Sequence, residues 1–285
     1  MIIGNKRFDT SRKHLYIMGI LNITPDSFSD GGRYETLDKS LAHVEEMIRD
    51  GADIIDIGAE STRPGYKQIS ADEEIEKLCR TIEAVKARFD IPISVDTYKS
   101  PVMEQCLKAG ADLANDIWGF RYKEGDMAQV VAKYDVPVVL MHNDDYGRSL
   151  EERTPEMLEH YPEGKVTDRV IDGLRISVDK ALKAGVKPEN IILDPGIGFA
   201  KTQRENLITM KDIGRITESL DYPMLLATSR KSMIGNVLEL GTDEREEGTL
   251  VTTVMAAEAG CCFVRVHDVK KNARAIKMYE AIREA

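Results

Sequence analysis

The sequence predicts a TIM-type (β/α)8 barrel, on three observations. Eight short β-like runs alternate with longer amphipathic, charged stretches. Several of the runs are almost wholly apolar, as strands of a parallel sheet covered on both faces must be. The runs also end in polar or charged residues that a core would not choose, and in a parallel barrel all those ends open on one mouth. A doubly wound open sheet is the competing architecture. It needs a Gly-rich dinucleotide turn near the first strand, and none is present. No interdomain linker interrupts the pattern, so residues 1–285 read as a single domain.

Taken in order, the first strand is Tyr16–Thr24. Its apolar part ends at Leu21, and the chain breaks into the polar segment Asn22–Gly32, where Pro25, Gly31 and Gly32 suit a loop. Leu37–Asp50 follows as a helix stopped by Gly51, then strand Asp53–Ala59 and helix Ala71–Phe89. Strand Pro92–Thr97 leads to helix Pro101–Ala109 and Gly110; strand Leu113–Ile117 leads to helix Asp126–Tyr134 through the short polar connector Arg121–Asp126. The fifth strand, Pro137–His142, contains the continuous run Val138-Val139-Leu140-Met141. After it comes Asn143–Val166, a polar stretch with two prolines, too long for an ordinary connector and read as a lid or a mobile excursion. Helix Thr167–Ala184 ends at Gly185; strand Ile191–Pro195 precedes helix Gln203–Thr217. Strand Met224–Ser229 precedes helix Glu246–Ala259 and Gly260, and strand Cys262–His267 precedes the last helix, Asp268–Glu284.

Composition narrows the class. The 42% hydrophobic content supplies one substantial core. No apolar run exceeds strand length, so no membrane partner is expected, and Met1–Arg12 lacks the apolar stretch of a secretion signal. A net charge of −10 argues against nucleic-acid binding, which needs Lys and Arg to neutralise phosphates, but not against a small anion held by a few convergent cations. The four cysteines, Cys79, Cys106, Cys261 and Cys262, lack metal-ligand spacing and read as free thiols, which points to a cytoplasmic location. No zinc is expected, since His14, His43 and His160 have no ligand-like neighbours, and no Gly-x-Ser-x-Gly elbow supports a hydrolase. The acidic run Asp243–Glu247 reads as a solvated helix start.

The strand ends carry Asn22; Glu60, Ser61, Thr62 and Arg63; Asp96-Thr97; Asn115-Asp116; Met141-His142; Asp194; Ser229-Arg230-Lys231; and Arg265 with His267. One strand-end Asp is as consistent with a structural acceptor as with a ligand contact, but eight ends behaving alike point to function. Asp96, Asn115 and Asp194 suit a flat heterocycle with N–H donors, such as a pterin or purine edge. Arg63, Lys231, Arg265 and His267 suit a phosphate or diphosphate. Arg265 and His267 are two apart and share a strand face, which favours an anion. Taken singly, Arg265 can pair with a neighbouring carboxylate and His267 can satisfy the core. Asn22, with Asp56, can help hold Mg²⁺ beside a diphosphate, or Asn22 can simply shape its loop. Trp118 and Phe120 read as packing under a loop rather than stacking on a ligand. Ser229–Ser232 lies where a helix begins and backbone N–H groups are free for an anion.

These motifs resemble the dihydropteroate synthases of folate biosynthesis. The resemblance rests on Met18–Gly32, Ile57–Gly65, Ser94–Thr97, Asn115–Ile117, Leu140–His142, Leu193–Phe199, Ser229–Ser232 and Arg265–Val269, in order along nearly the whole chain. It implies a TIM-barrel transferase, usually a homodimer, that condenses 6-hydroxymethyl-7,8-dihydropterin diphosphate with 4-aminobenzoate to give 7,8-dihydropteroate and pyrophosphate. By motif, Asp96, Asn115, Asp194 and Lys231 would hold the pterin, with Ile117, Met141 and Phe199 lining its slot. Asn22, Arg265 and His267 would hold the diphosphate, with Mg²⁺ at Asn22. Thr62, Arg63, Pro64 and Ser232 would shape the aminobenzoate pocket, and the loops Thr24–Gly32 and Ser61–Gly65 would close over it. Asp96, Asp194, Lys231, Arg265 and His267 would carry the catalysis. The chain departs from the family where Asn143–Arg148 replaces a compact Met/Gly/Pro loop and where Trp118 replaces a small residue. A pterin-binding methyltransferase would share the acidic set without needing the cations, and a non-catalytic pterin-binding paralogue would have lost part of the two loops. A dimer through the last helices would use Met255–Ala257 and Ile276–Ile282, although such stripes are ordinarily helix-to-barrel packing.

Overall fold

A computed structural model describes residues 1–23, 33–60, 68–122, 125–147 and 149–285, with the backbone alone for 33–36. Two short strands, β1 (Ile2–Ile3) and β2 (Lys6–Arg7), form an antiparallel hairpin that the hydrophobic pattern did not reveal. The barrel strands are β3 (Tyr16–Asn22), β4 (Ile54–Gly58), β5 (Ile93–Asp96), β6 (Leu113–Asp116), β7 (Val138–Met141), β8 (Ile191–Asp194), β9 (Leu225–Leu226) and β10 (Phe263–Val266). They pair in parallel in the order β8-β7-β6-β5-β4-β3-β10-β9. A parallel bridge from Leu193 to Met224 joins the two edges and closes the cylinder.

Helices wrap this cylinder: α1 (Arg33–Asp50), α2 (Ala71–Arg88), α3 (Ser100–Lys108), α4 (Met127–Tyr134), α5 (Pro155–His160) and α6 (Val166–Ala184). They continue with α7 (Gln203–Lys211), α8 (Ile213–Glu218), α9 (Ser232–Leu238), α10 (Glu246–Glu258) and α11 (Val269–Arg283). The stretch expected as one helix over 203–217 is two, α7 and α8, broken at Asp212. The long stretch 143–166 is folded where described, with a 3-10 turn at Leu150–Glu152, helix α5, and a second turn at Glu163–Lys165. Caps follow the expected chemistry: Ser70 accepts from the Glu73 N–H, and Thr202 and Glu205 form a reciprocal capping box. The acidic run corrects one expectation. Asp243 and Glu244 are exposed, but Glu246 is buried and accepts from Asn272 Nδ2 at 2.9 Å.

The strand period of two sorts the core into two compartments. Ile17, Leu21, Ile55, Ile57, Ile93, Val95, Ala114, Val138, Leu140, Ile191, Leu193, Leu226, Val264 and Val266 face the helices in one large cluster. The alternate residues Met18, Ile54, Leu113, Val139, Ile192, Leu225 and Phe263 fill the interior of the cylinder. Ile3 and Phe8, from the hairpin and the residue after it, join that inner cluster, with the Phe8 ring centroid 4.9 Å from Tyr16 and 5.8 Å from Phe263. The N-terminal segment therefore closes the floor, and the interior is packed below the mouth. Cys106, Cys261 and Cys262 are buried and, with Cys79, carry free thiols. Among the described residues no helix is long and apolar enough to cross a membrane.

Truncating the floor plug, Phe8→Ala, is expected to cost about 3 kcal/mol of unfolding free energy, the usual value for a buried Phe. Urea denaturation reads it; a loss below about 1 kcal/mol would mean that the plug is not part of the core.

Candidate active site

Directly above the inner apolar layer, on the same strand parity, stand Asp56, Asn115, Met141, Asp194 and Arg265, with Asp96 one step above Ser94. Arg265 is their hub. Its Nε donates to Asp56 Oδ2 at 2.5 Å and its Nη2 to Asp96 Oδ2 at 2.7 Å. Asp56 is fully enclosed, and its carboxylate also accepts from Ser94 Oγ at 2.5 Å and Asn115 Nδ2 at 3.3 Å. Of the two roles open for Arg265, pairing with neighbouring carboxylates is the one present. Asp56 thereby holds Arg265, Ser94 and Asn115 together.

The turn after β8 binds the other two charges. Asp194 is buried and its Oδ1 accepts from the Gly196 N–H at 2.7 Å. Lys231 donates from Nζ to the Ile197 carbonyl at 2.5 Å and sits 4.9 Å from the Phe199 ring centroid. Tyr98, Ile117 and Met141 form a small apolar cluster with Phe199, Trp118 and Tyr122 packed on it. The site therefore has an apolar wall beside its charges. Trp118 packs with Tyr122, ring centroids 5.9 Å apart.

Burial dominates the titration of these groups. It raises Asp96 to about 7, against the pull of the Arg265 guanidinium. It also raises Asp194, opposed by Lys231, and lowers Lys231 to about 8, opposed by the Asp194 carboxylate. In all three, burial disfavours the charged form, so charge arriving on a ligand changes their balance.

At the rim, His267 Nδ1 lies 2.9 Å from Ser229 Oγ, which accepts from the His267 backbone N–H at 3.2 Å. Ser232 is exposed as the first residue of α9. Asn22 is exposed at the end of β3, paired in register with Gly58, which is itself paired with Asp96. Thr62, Arg63 and Pro64, and both loops 24–32 and 61–65, lie outside the described residues. Among the described residues no cluster of three His, Cys, Asp or Glu side chains forms a metal site.

Two strand-end residues grouped with the mouth, Asp116 and His142, face away from it, and a third, Glu60, is engaged by the residues that wall it. Asp116 lies on the outward parity and accepts from the Trp118 and Phe120 N–H groups at 2.9 and 2.7 Å, shaping its loop. Glu60 accepts from Tyr98 Oη at 2.7 Å and Lys99 Nζ at 2.6 Å. His142, also of outward parity, is buried in a charged network that sequence reasoning missed. In that network Asp144 Oδ2 lies 3.4 Å from His142 Nε2 and 3.6 Å from Arg169 Nε. Arg153 forks onto Glu205 at 2.7 and 2.5 Å, and the Tyr146 ring lies 4.2 Å under the Arg169 guanidinium. Residues 143–147 thus supply Asp144 and Tyr146 to the network. Lys201 completes it, its Nζ 3.0 Å from His142 Nδ1. Burial lowers His142 to about 4, with Lys201 adding to the effect, so the ring is neutral at neutral pH. The Thr202-x-x-Glu205 capping pattern is the one local signal in the sequence that touches this cluster, and it went unread.

The profile of the pterin binding enzyme family matches residues 18–267. A dihydropteroate synthase of Clostridium beijerinckii is 52% identical over 286 aligned residues, covering 99% of each chain. The crystal structure of a Clostridium difficile dihydropteroate synthase in the presence of pteroic acid superposes with a TM-score of 0.86 at 44% identity, covering 96% of this chain and 98% of that one. A Xanthomonas albilineans dihydropteroate synthase with 4-aminobenzoic acid superposes with a TM-score of 0.84 at 34% identity, covering 96% and 95%.

The raised Asp96 carboxyl has a stability consequence. The folded state holds this proton up to about pH 7, whereas the unfolded chain releases it near its ordinary value. The Asp96 contribution to stability therefore falls as pH rises from about 4 to about 7. The stability of the wild type minus that of Asp96→Asn, from urea melts at successive pH values, is expected to decline across that window and then level. A flat difference would refute it.

Proposed function

The chain belongs to the pterin-binding enzyme family, among its dihydropteroate synthases, and from this premise we propose how its barrel mouth performs the condensation. The reaction joins 6-hydroxymethyl-7,8-dihydropterin diphosphate to 4-aminobenzoate and releases pyrophosphate. The observation that carries the assignment of residues is one lumen layer holding Asp96, Asn115 and Asp194 together with Lys231 and Arg265.

The pterin enters between the apolar wall of Ile117, Met141 and Phe199 and the polar layer. Its ring N–H and amino donors go to Asp96 and Asp194, and its ring acceptors to Asn115 and Lys231. Donors arriving at Asp96 release Arg265 Nη2 to face the anion, joined at the rim by His267 and Asn22. The C–O bond to the diphosphate then breaks, its electron pair leaving with the anion. The resulting methylene cation is delocalised into the electron-rich ring. The carboxylates of Asp96 and Asp194 stabilise that positive charge while Arg265 and His267 stabilise the departing negative charge, an arrangement organised before the reaction begins. The amine of 4-aminobenzoate attacks the methylene carbon to form the C–N bond, and the product nitrogen loses its proton to water or pyrophosphate. This weakly basic amine needs no strong general base. Its carboxylate is placed at Ser232, with Thr62, Arg63 and Pro64 completing that pocket. The loops 24–32 and 61–65 exclude water, which would otherwise capture the cation.

Mg²⁺ fits here as an ion carried by the diphosphate. Asn22 offers one exposed neutral oxygen and Asp56 is already engaged, while Mg²⁺ commonly takes one or two protein ligands plus phosphate oxygens. When bound, it would supply further neutralisation of the leaving anion. Buried free thiols suit the reducing cytoplasm as the place of action. A homodimer is proposed as well. Ala256, Ala257 and Ile276 of the suggested stripes pack inward, whereas Val251, Met278 and Ile282 are exposed and available to a second copy.

The central test is pyrophosphate release with and without 4-aminobenzoate; release that ignores 4-aminobenzoate overturns the reading. Asp194→Ala is expected to weaken pterin binding by about 100-fold or more in calorimetry, the loss of charged hydrogen bonds in a buried site. Ser232→Ala is expected to raise the 4-aminobenzoate KM about tenfold with little change in pterin affinity, the value of one hydrogen bond to a charged group. Val251→Glu should shift a dimer toward monomer in sedimentation equilibrium; a monomeric wild type would dismiss the dimer.

A further inference from the structure

Lys201 does not face the lumen, yet it touches the segment on which two of the site's charges depend. Its Nζ donates to the Gly196 carbonyl at 2.9 Å and the Phe199 carbonyl at 3.1 Å, and its third contact is His142 Nδ1 at 3.0 Å. The side chain is buried. Burial, with the Arg169 guanidinium adding to it, lowers this amine to about 7; in its protonated form its three N–H donors meet three acceptors. The imidazole accepts because its tautomer is set from the far side. The Asp144 carboxylate stands 3.4 Å from Nε2, outside hydrogen-bond geometry, and its charge favours the proton on that side, leaving Nδ1 with its lone pair.

Both carbonyls belong to the turn that serves the pterin subsite. Gly196 N–H donates to Asp194 Oδ1, the Ile197 carbonyl accepts from Lys231, and the Phe199 ring lies beside that same ammonium. The turn is bent sharply. Gly196 has φ +68°, and a Cβ there would lie 2.0 Å from the His142 carbonyl oxygen. Its backbone is thus pressed against the residue that also holds Lys201. His142 is itself held closely, since a Cβ on Gly173 of α6 would lie 2.5 Å from its Cδ2. Without Lys201, two carbonyls pulled together at the ends of a four-residue turn would lose their common donor. The turn would keep its own Phe199 N–H to Gly196 carbonyl bond at 3.1 Å and the Gly198 N–H to Asn206 Oδ1 bond at 2.6 Å, but the Gly196 and Phe199 carbonyls that fix how it presents Asp194 and Lys231 would lose their shared side-chain donor.

We propose that Lys201, held by His142, is a positioning residue for the reaction, clamping the 196–199 turn so that Asp194 and Lys231 meet the pterin in the required geometry. Lys201 acts through the turn and does not touch substrate. The inference rests on the assignment of Asp194 and Lys231 to the pterin.

The test is Lys201→Met, which keeps an unbranched apolar stem of similar length and removes all three donors. The pterin diphosphate KM is expected to rise at least tenfold, while the 4-aminobenzoate KM at saturating pterin changes less than twofold. A merely structural role would lower the active fraction and hence the apparent kcat, but would leave the KM of the surviving enzyme unchanged. His142→Leu provides the second variant should Lys201→Met not accumulate as folded protein. It removes one of the three acceptors, and its pterin KM is expected to rise three- to tenfold with the same split. A pterin KM within twofold of wild type in the variant that folds overturns the clamp. Equal rises in both KM values overturn it too, and so does failure of both variants to fold, which would make the cluster a folding element. Asp194→Ala separates this outcome from failure of the underlying assignment. If Asp194→Ala retains full pterin affinity, the assignment fails; if it loses affinity and Lys201→Met does not, the clamp alone fails.

Discussion

Closure of eight parallel strands imposes one constraint from which the rest follows: every second side chain of every strand is committed to a shared lumen. At the level of Met18, Ile54, Leu113, Val139, Ile192, Leu225 and Phe263 that lumen is filled by apolar groups and closed below by Ile3 and Phe8. One step higher the same parity brings Asp56, Asn115, Asp194 and Arg265 together. A floor packed this tightly gives the polar layer a rigid base, and polar groups there cannot retreat into the interior. The chemistry is confined to the open end because the other end is full.

A layer of buried charges is costly unless each has a partner. Here the partners are arranged in two sets. Arg265 lies between Asp56 and Asp96, and Asp56 is held further by Ser94 and Asn115. Asp194 and Lys231 are each tied to the 196–199 turn. The fully enclosed Asp56 orients Arg265, while the less enclosed Asp96 shares the guanidinium and stays within reach of a ligand. A substrate that brings N–H donors and an anion can substitute for these internal pairings in kind, so binding need not strand a charge. The upward displacement of Asp96 and Asp194 and the downward displacement of Lys231 have the same origin in burial.

Behind the barrel wall a second polar assembly of His142, Asp144, Arg153, Arg169, Lys201 and Glu205 holds the long connection after β7 against the turn after β8. Residues 143–147 therefore lie clear of the lumen. Asp144 and Tyr146 face Arg169 and His142, outside the cylinder. They support the site from behind and do not line it.

The sequence by itself determined the order and type of the barrel elements, because strand-length apolar runs and amphipathic stretches reflect local periodicity. It also made Asp96, Asn115, Asp194, Lys231, Arg265 and His267 legible as a group, since each follows an apolar run at the end that must open on the mouth. Local pattern failed where parity or distant contact decides. Asp116 and His142 adjoin true lumen residues in the chain, but one step along a strand turns a side chain to the opposite face. The two-residue strands β1 and β2 are too short for periodicity to register, and their burial comes from the barrel floor they plug. The burial of Lys201, Arg169 and Glu205 was likewise invisible, because a charged residue is read as exposed until its partners are known. Those partners come from segments up to 59 residues apart in the chain. Which carboxylate Arg265 would pair with, and which residues would hold the turn beneath Lys231, were settled only when closure of the cylinder brought distant strand ends within hydrogen-bonding distance.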